Sequence, residues 1–260
     1  MRATSSRGWM LIALVLTVLG IILLLQNFLL IGGTNLLMFW PLLLAAAGFV
    51  ILLRGDLLAT SGKSFGITRG SVVSGTLEVS AGVVDVRGHA LGKEGRLIAG
   101  QFAAGARPSL SVDDNHARLR FDRAAAPLLA WGDWDLALAR DLPWEVRISS
   151  WLGTVELDLD GLIIQRGQIG TGFGDIRLTC PQEAFEPVRA QSTLGTIRLE
   201  APPGVNAHVY VTGSRVFRTR VDTARYEVIA PNVYATRDAD PDAPVTEFHL
   251  SGTFGDCYLA

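Results

Sequence analysis

The first 54 residues contain no Asp or Glu, and their only charges are Arg2, Arg7 and Arg54. The remainder carries 20 basic against 25 acidic residues, a net of −5. An acidic balance excludes non-specific nucleic-acid binding, which depends on neutralising phosphates. Cysteine is almost absent. Cys180 and Cys257 have no nearby pair of histidines, which argues against a zinc site. Both fall at inward strand positions and read as buried free thiols, with a disulfide left open only if folding brings them together. His89, His116, His208 and His249 are scattered without ligand spacing. No Gly-x-Ser-x-Gly elbow or Ser-x-x-Lys pair supports nucleophilic hydrolysis, and no amphipathic helical period appears after residue 60. These absences lead us to expect no catalytic residues, no cofactor and no metal.

What is present at the N-terminus is apolar length. Residues 9–31 form an almost unbroken run of 23 residues, about 34 Å as a helix, and 36–53 a second run of 18. Gly32-Gly-Thr-Asn35 is long enough only for a tight hairpin. We expect residues 1–54 to be a two-span membrane hairpin. The alternative, a cleaved signal peptide, is disfavoured by the length of the first run, the lack of a small-x-small site and the second run behind it. Arg2 and Arg7 precede the hairpin and Arg54, Lys63 and Arg69 follow it. The positive-inside rule therefore places both termini, and whatever follows, in the cytoplasm. No charge falls at mid-depth, so a transport pathway is not indicated.

The organising pattern lies further on. Trp151-Leu-Gly-Thr-Val-Glu-Leu-Asp-Leu, Gly172-Phe-Gly-Asp-Ile-Arg-Leu-Thr-Cys and Thr193-Leu-Gly-Thr-Ile-Arg-Leu-Glu-Ala repeat one another, with Gly153, Gly174 and Gly195 spaced 21 residues apart. Thr253-Phe-Gly-Asp-Cys-Tyr-Leu closes the chain as a fourth copy. After each glycine the residues alternate, the mark of a strand with one buried face. A fixed period near 20 suggests a solenoid whose coils share an apolar column; the alternative is an antiparallel β-sandwich. The solenoid predicts Val155, Ile176 and Ile197 in one inward column and Leu157, Leu178 and Leu199 in the next.

Residues 55–71 read as a linker and 72–260 as the β domain. Strands are expected in Gly75–Ser80 and Gly82–Gly88, and a strand pair in Leu110–Phe121 with a turn at Asp113-Asp-Asn115. Asp238, Asp240 and Asp242 imitate a calcium loop, but Ala243 and His249 stand where Gly and Glu are required, so a solvated loop is the better reading. Two surface features are candidate sites. Trp131, Trp134, Trp144 and Trp151 form a dense group, either core or a partner surface. Arg215, Arg218, Arg220 and Arg225 form the one basic concentration, either a solvated face or a contact for anionic lipid.

The apolar hairpin, with Trp40-Pro41-Leu-Leu-Leu44 through Gly48, resembles the LiaI/LiaF-type transmembrane region of bacterial envelope-stress proteins. Trp134-Asp-Leu-Ala-Leu, Gly153-Thr-Val-Glu-Leu-Asp-Leu and Gly174-Asp-Ile-Arg-Leu-Thr-Cys resemble the toastrack β domains of LiaF-like proteins. That resemblance implies a right-handed β-helix-like domain on a bacterial membrane, no catalytic residues, and a regulatory role toward a partner such as a sensor kinase. Trp-Leu-Gly, Gly-Phe-Gly and Thr-Leu-Gly depart from the family's usual Gly-Ala-Gly. The expected function is therefore a non-enzymatic, membrane-anchored regulator or sensor acting through protein contacts. The alternative is an assembly scaffold or adhesin-like module, with self-association among its contacts.

Overall fold

In the computed structural model, which describes residues 63–92, 95–102, 108–122, 133–240 and 242–260, every regular element is a strand. The expected hairpin and Trp131 lie outside the described residues. The chain opens with β1 (Lys63–Thr68), then β2 (Ser74–Val83) and β3 (Asp85–Ala90). It continues through β4 (Arg96–Phe102), β5 (Ser109–Asp113), β6 (His116–Asp122) and β7 (Asp133–Leu138). The repeats supply β8 (Pro143–Leu152), β9 (Val155–Asp158), β10 (Ile163–Phe173) and β11 (Ile176–Thr179). After the two-residue β12 (Glu183–Ala184) come β13 (Val188–Leu194) and β14 (Ile197–Glu200). The last third holds β15 (Asn206–Gly213), β16 (Phe217–Val221), β17 (Tyr226–Ala230), β18 (Val233–Thr236) and the long β19 (Val245–Leu259).

These strands stack as coils, each with one arm in each of two ladders. In the first ladder β6, β2, β8, β10, β13, β19 and β15 lie side by side and parallel. In the second, β7, β3, β9, β11, β14, the end of β19, and β16 follow in the same order. Because β19 belongs to both, the described strands join one mixed sheet of nineteen. The repeats pair parallel, so the antiparallel sandwich does not describe them. Antiparallel strands close three of the four ladder ends: β4 and β1 beyond β7, β5 beyond β6, and β18 and β17 beyond β15. The fourth end is β16, whose described pairing is to β19 alone.

The predicted columns are present. Ile176 is in register with Val155 and Ile197, and Leu178 with Leu157 and Leu199, all nearly or fully buried. The fourth copy extends both, placing Cys257 beside Ile197 and Leu259 beside Leu199. Leu159, Cys180 and Ala201 are buried at the next inward position. Each buried aliphatic side chain contributes roughly 1.5–3 kcal/mol, and no coil covers its own; the neighbours do.

Glycine at the corner makes this spacing possible. Gly153, Gly174, Gly195 and Gly255 have φ of 144°, 150°, 153° and 127°, a region L-residues avoid. A Cβ on Gly174 would overlap the carbonyl oxygen of Gly153, one on Gly195 that of Gly174, and one on Gly255 that of Gly195. Each corner amide is used as well: Gly153 N–H donates to the Phe173 carbonyl, Gly174 to Leu194, and Gly195 to Phe254. Hydroxyls finish the accounting, with Ser192 Oγ donating to the Gly174 carbonyl at 3.2 Å.

One expectation needs correction. The segment expected as linker, residues 55–71, contains β1, paired along its length with β4. The coils do not stack in chain order. The chain enters at β2/β3, steps outward to β6/β7, and returns to the far side of β2/β3 with β8/β9. At the other end it skips a level to form β15/β16, then fills the gap with β19. The expected hairpin turn is present: Asp114 and Asn115 have φ of 45° and 65°, the two positive values a type I′ turn requires.

The corner predicts its own mutational test. Gly174→Ala should lower stability by about 3 kcal/mol, through strain and overlap with the adjoining backbone. Gly70→Ala, also at positive φ but with open space around its missing Cβ, should cost about 1 kcal/mol. Urea unfolding followed by the fluorescence of buried Trp134 and Trp144 measures both; equal losses would remove the corner from the account.

Candidate binding face

The outer surface of the first ladder is built from positions that alternate with the core. Register aligns Glu78, Arg147, Gln168, Arg189, His249 and Tyr210 in one row across six coils. Two residues further along each strand lies a row of short groups, Ser80, Ser149, Gly170, Ser251 and Thr212, interrupted by the longer Gln191. The contrast in side-chain length leaves a shallow open groove of about 660 Å³ running across the strands. Its floor is short and polar, and its wall carries guanidinium, amide and imidazole groups. The His249 ring stacks on Tyr210, with ring centres 4.9 Å apart.

A polar chain ties the wall together at its base. His116 bonds through both ring nitrogens to the hydroxyls of Ser74 and Thr76, at 2.7 and 2.9 Å. Thr76 donates to Glu145, whose other oxygen accepts from Arg147 at 2.6 Å. Arg166 lies 3.6 Å from that same oxygen and donates two bonds of 2.7 Å to Glu186. Burial pushes the Glu145 carboxyl up, but Arg147, Thr76 and Arg166 together outweigh it and hold it below its ordinary value. Glu186 is held down by the Arg166 bond pair. These charges are committed to one another, so the chain positions the wall.

A second feature borders the groove. Trp151, two residues beyond Ser149, is 58% exposed and meets Phe173 edge-on, with ring centres 6.0 Å apart. Leu152, Phe173, Leu194 and Phe254 follow one another in register and are 42%, 44%, 48% and 52% exposed. By alternation they have the inward phase of buried Ser150, Thr171 and Ser192. They emerge because the backbone turns at the glycine that follows each, so the side chain leaves the core at the seam between the ladders. The repeat motif shows this signal as an apolar residue before every glycine. Alternation alone assigns that residue to the interior.

The Trp group divides. Trp134 and Trp144 are 1% and 0% exposed, which corrects the reading of these two as partner surface. Trp134 has the inward phase of β7 beside Val86 and lies against Phe121. Trp144 fills the space left by Gly75 and donates its indole N–H to the Ala139 carbonyl at 2.8 Å. Trp151 alone of the described three is open to solvent. Arg215, Arg218, Arg220 and Arg225 are all exposed. Arg218 and Arg220 share a face of β16, while Arg215 precedes that strand and Arg225 lies in the turn after it. Arg220 sits over the Tyr258 ring at 5.4 Å, with Arg198 at 5.6 Å from the same ring. The sequence cluster is thus redistributed, one member joining a residue 22 positions earlier.

Comparison with known proteins follows the architecture. No family model and no curated protein matches the chain. Among solved structures, the fold is similar to that of a protein from Clostridium sporogenes provisionally named a cell adhesion protein. The TM-score is 0.64 at 14% identity, over 76% of this chain and 98% of that one. A Bacteroides fragilis protein provisionally named an adhesin aligns at a TM-score of 0.31 and 10% identity, over 78% of this chain and 98% of that one; this carries no argument. The first likeness establishes the all-β fold.

The wall makes a prediction with a definite sign. Glu145 and Glu186 release protons more readily folded than unfolded, so their contribution is present above their ordinary value of 4.5. It is lost as pH falls through the lower folded values. Arg166→Gln should therefore destabilise the protein at pH 7 and leave it equal to wild type near the bottom of the acid transition, as read by denaturant unfolding across pH. A difference that persists unchanged in acid would rule out the ion pairs as its source.

Proposed function

We propose that this chain is a non-enzymatic, membrane-anchored binding module whose β domain holds an elongated protein partner across its stacked coils. The observation that carries this is the groove, whose lining comes from successive coils at one register and suits a partner lying across the strands. The domain is read as a right-handed β-helix-like solenoid of the toastrack type, anchored by residues 1–54 with both termini in the cytoplasm. The fold likeness to a protein assigned provisionally to adhesion supports a binding module. The narrower role, regulation of envelope-stress signalling through a partner such as a sensor kinase, rests on the resemblance of the hairpin and the Gly-Asp-Ile repeats. The exposed arginines of β16 are proposed as its contact with anionic headgroups.

Two experiments test this. Cys180 and Cys257 are fully buried, and burial pushes the Cys257 thiol up to about 12, so native thiols should stay silent toward maleimide. Asp242→Cys should be labelled by a membrane-impermeant maleimide only after lysis; labelling of intact cells would put the domain outside. A photo-crosslinking residue at Gln191, on the groove floor, should trap a protein that the same residue at exposed Glu200 on the other ladder does not. Identical products from both positions would deny the groove this role.

A further inference from the structure

The apolar ridge has an order that the groove does not explain. From one end to the other it reads Leu152, Phe173, Leu194, Phe254, one residue per coil, about 4.8 Å apart. We infer that this ridge is a self-association seam, on which a second copy of the chain packs about a two-fold axis lying across the ridge between Phe173 and Leu194. Such an axis reverses the ridge, so Leu152 meets the partner's Phe254 and Phe173 meets the partner's Leu194. Every large ring then faces a smaller aliphatic group, the self-complementarity an isologous interface requires. Ridges laid in the same direction would set Phe on Phe and Leu on Leu, with gaps between.

The flanking residues obey the same symmetry. Beside the ridge, after the corner glycines, run Thr154, Asp175, Thr196 and Asp256. Reversal places each Asp level with a Thr, never with another Asp, so no like charges meet. On the other flank Trp151, Gly172, Thr193 and Thr253 carry no charge. Val216, at the level beyond Phe254, is 52% exposed and lengthens the ridge. With Trp151 the ridge leaves about 600 Å² of apolar surface open, at the top of what a monomer ordinarily exposes. Two copies would bury roughly 1,200 Å², the lower bound for a specific interface. A shared membrane raises the effective concentration that such a modest seam needs.

The test uses the full-length chain reconstituted in bilayers. Leu152→Cys and Phe254→Cys proteins carrying different tags are mixed and oxidised, with wild type as the control for Cys180 and Cys257. A disulfide should form between L152C and F254C but not between two copies of L152C, which the two-fold holds about 14 Å apart. L152C joining itself, or no joining in the mixture, overturns the proposal. Phe173→Asp, which enters the seam twice, should raise the dimer dissociation constant at least about 100-fold by light scattering in detergent. A wild type that is monomeric, or a dimer indifferent to F173D, overturns it equally. Crosslinking from Gln191 reports on the groove separately, so either reading can fail alone.

Discussion

The repeats depend on one contact: at four successive corners a glycine lies directly against the backbone of the coil behind it. The Gly174 amide donates forward to Leu194 while its own missing Cβ leaves room for the Gly153 carbonyl behind it. A side chain at that point would hold successive coils apart, and both ladders would lose their spacing together. Aliphatic columns can then form without large aromatic groups in every coil, because Val155, Ile176 and Ile197 are forced to the same height. Buried hydroxyls such as Ser192 are tolerated at the corner because a glycine carbonyl is there to accept. Asp175 serves the same seam from outside, its carboxylate accepting from the Thr196 amide at 2.8 Å.

The register that builds the core also writes the surface. In-register parallel stacking turns any residue repeated at one place in the motif into a row, and a difference in side-chain length between neighbouring rows into a groove. Arg147 and Gln168 beside Ser149 and Gly170 are such a pair. The Leu–Phe–Leu–Phe ridge arises the same way from the residue before the glycine. Both features run along the stack, one residue from each coil. The closing antiparallel strands fit that picture, because unpaired edges would otherwise template strand addition.

Much of this was legible beforehand, for a physical reason. Period-two alternation assigns faces, and a constant 21-residue step assigns heights, so Cys180 and Cys257 could be placed inside and Ile176 set between Val155 and Ile197. The Asp114-Asn115 turn was legible from local chemistry. Trp134 and Trp144 were not, because an aromatic on an alternating strand carries the same pattern whether it caps a core or meets a partner. The groove was not legible either: Ser149, Gly170 and Gln191 look like any solvated strand face until the rows beside them are known.

That the repeat segments are strands, which side of each is buried, and that they sit at equal heights all follow from local spacing, and so could be read from the amino-acid order. Which coil lies beside which is set by long-range packing. Nothing local tells β19 to slip between β13/β14 and β15/β16, or β2/β3 to lie inside β6/β7, since all these arms present the same apolar face and the same edge amides. Whether the residue before each glycine is covered is set the same way. Burial at a corner depends on how the two ladders diverge around it, which alternation along a single strand does not record.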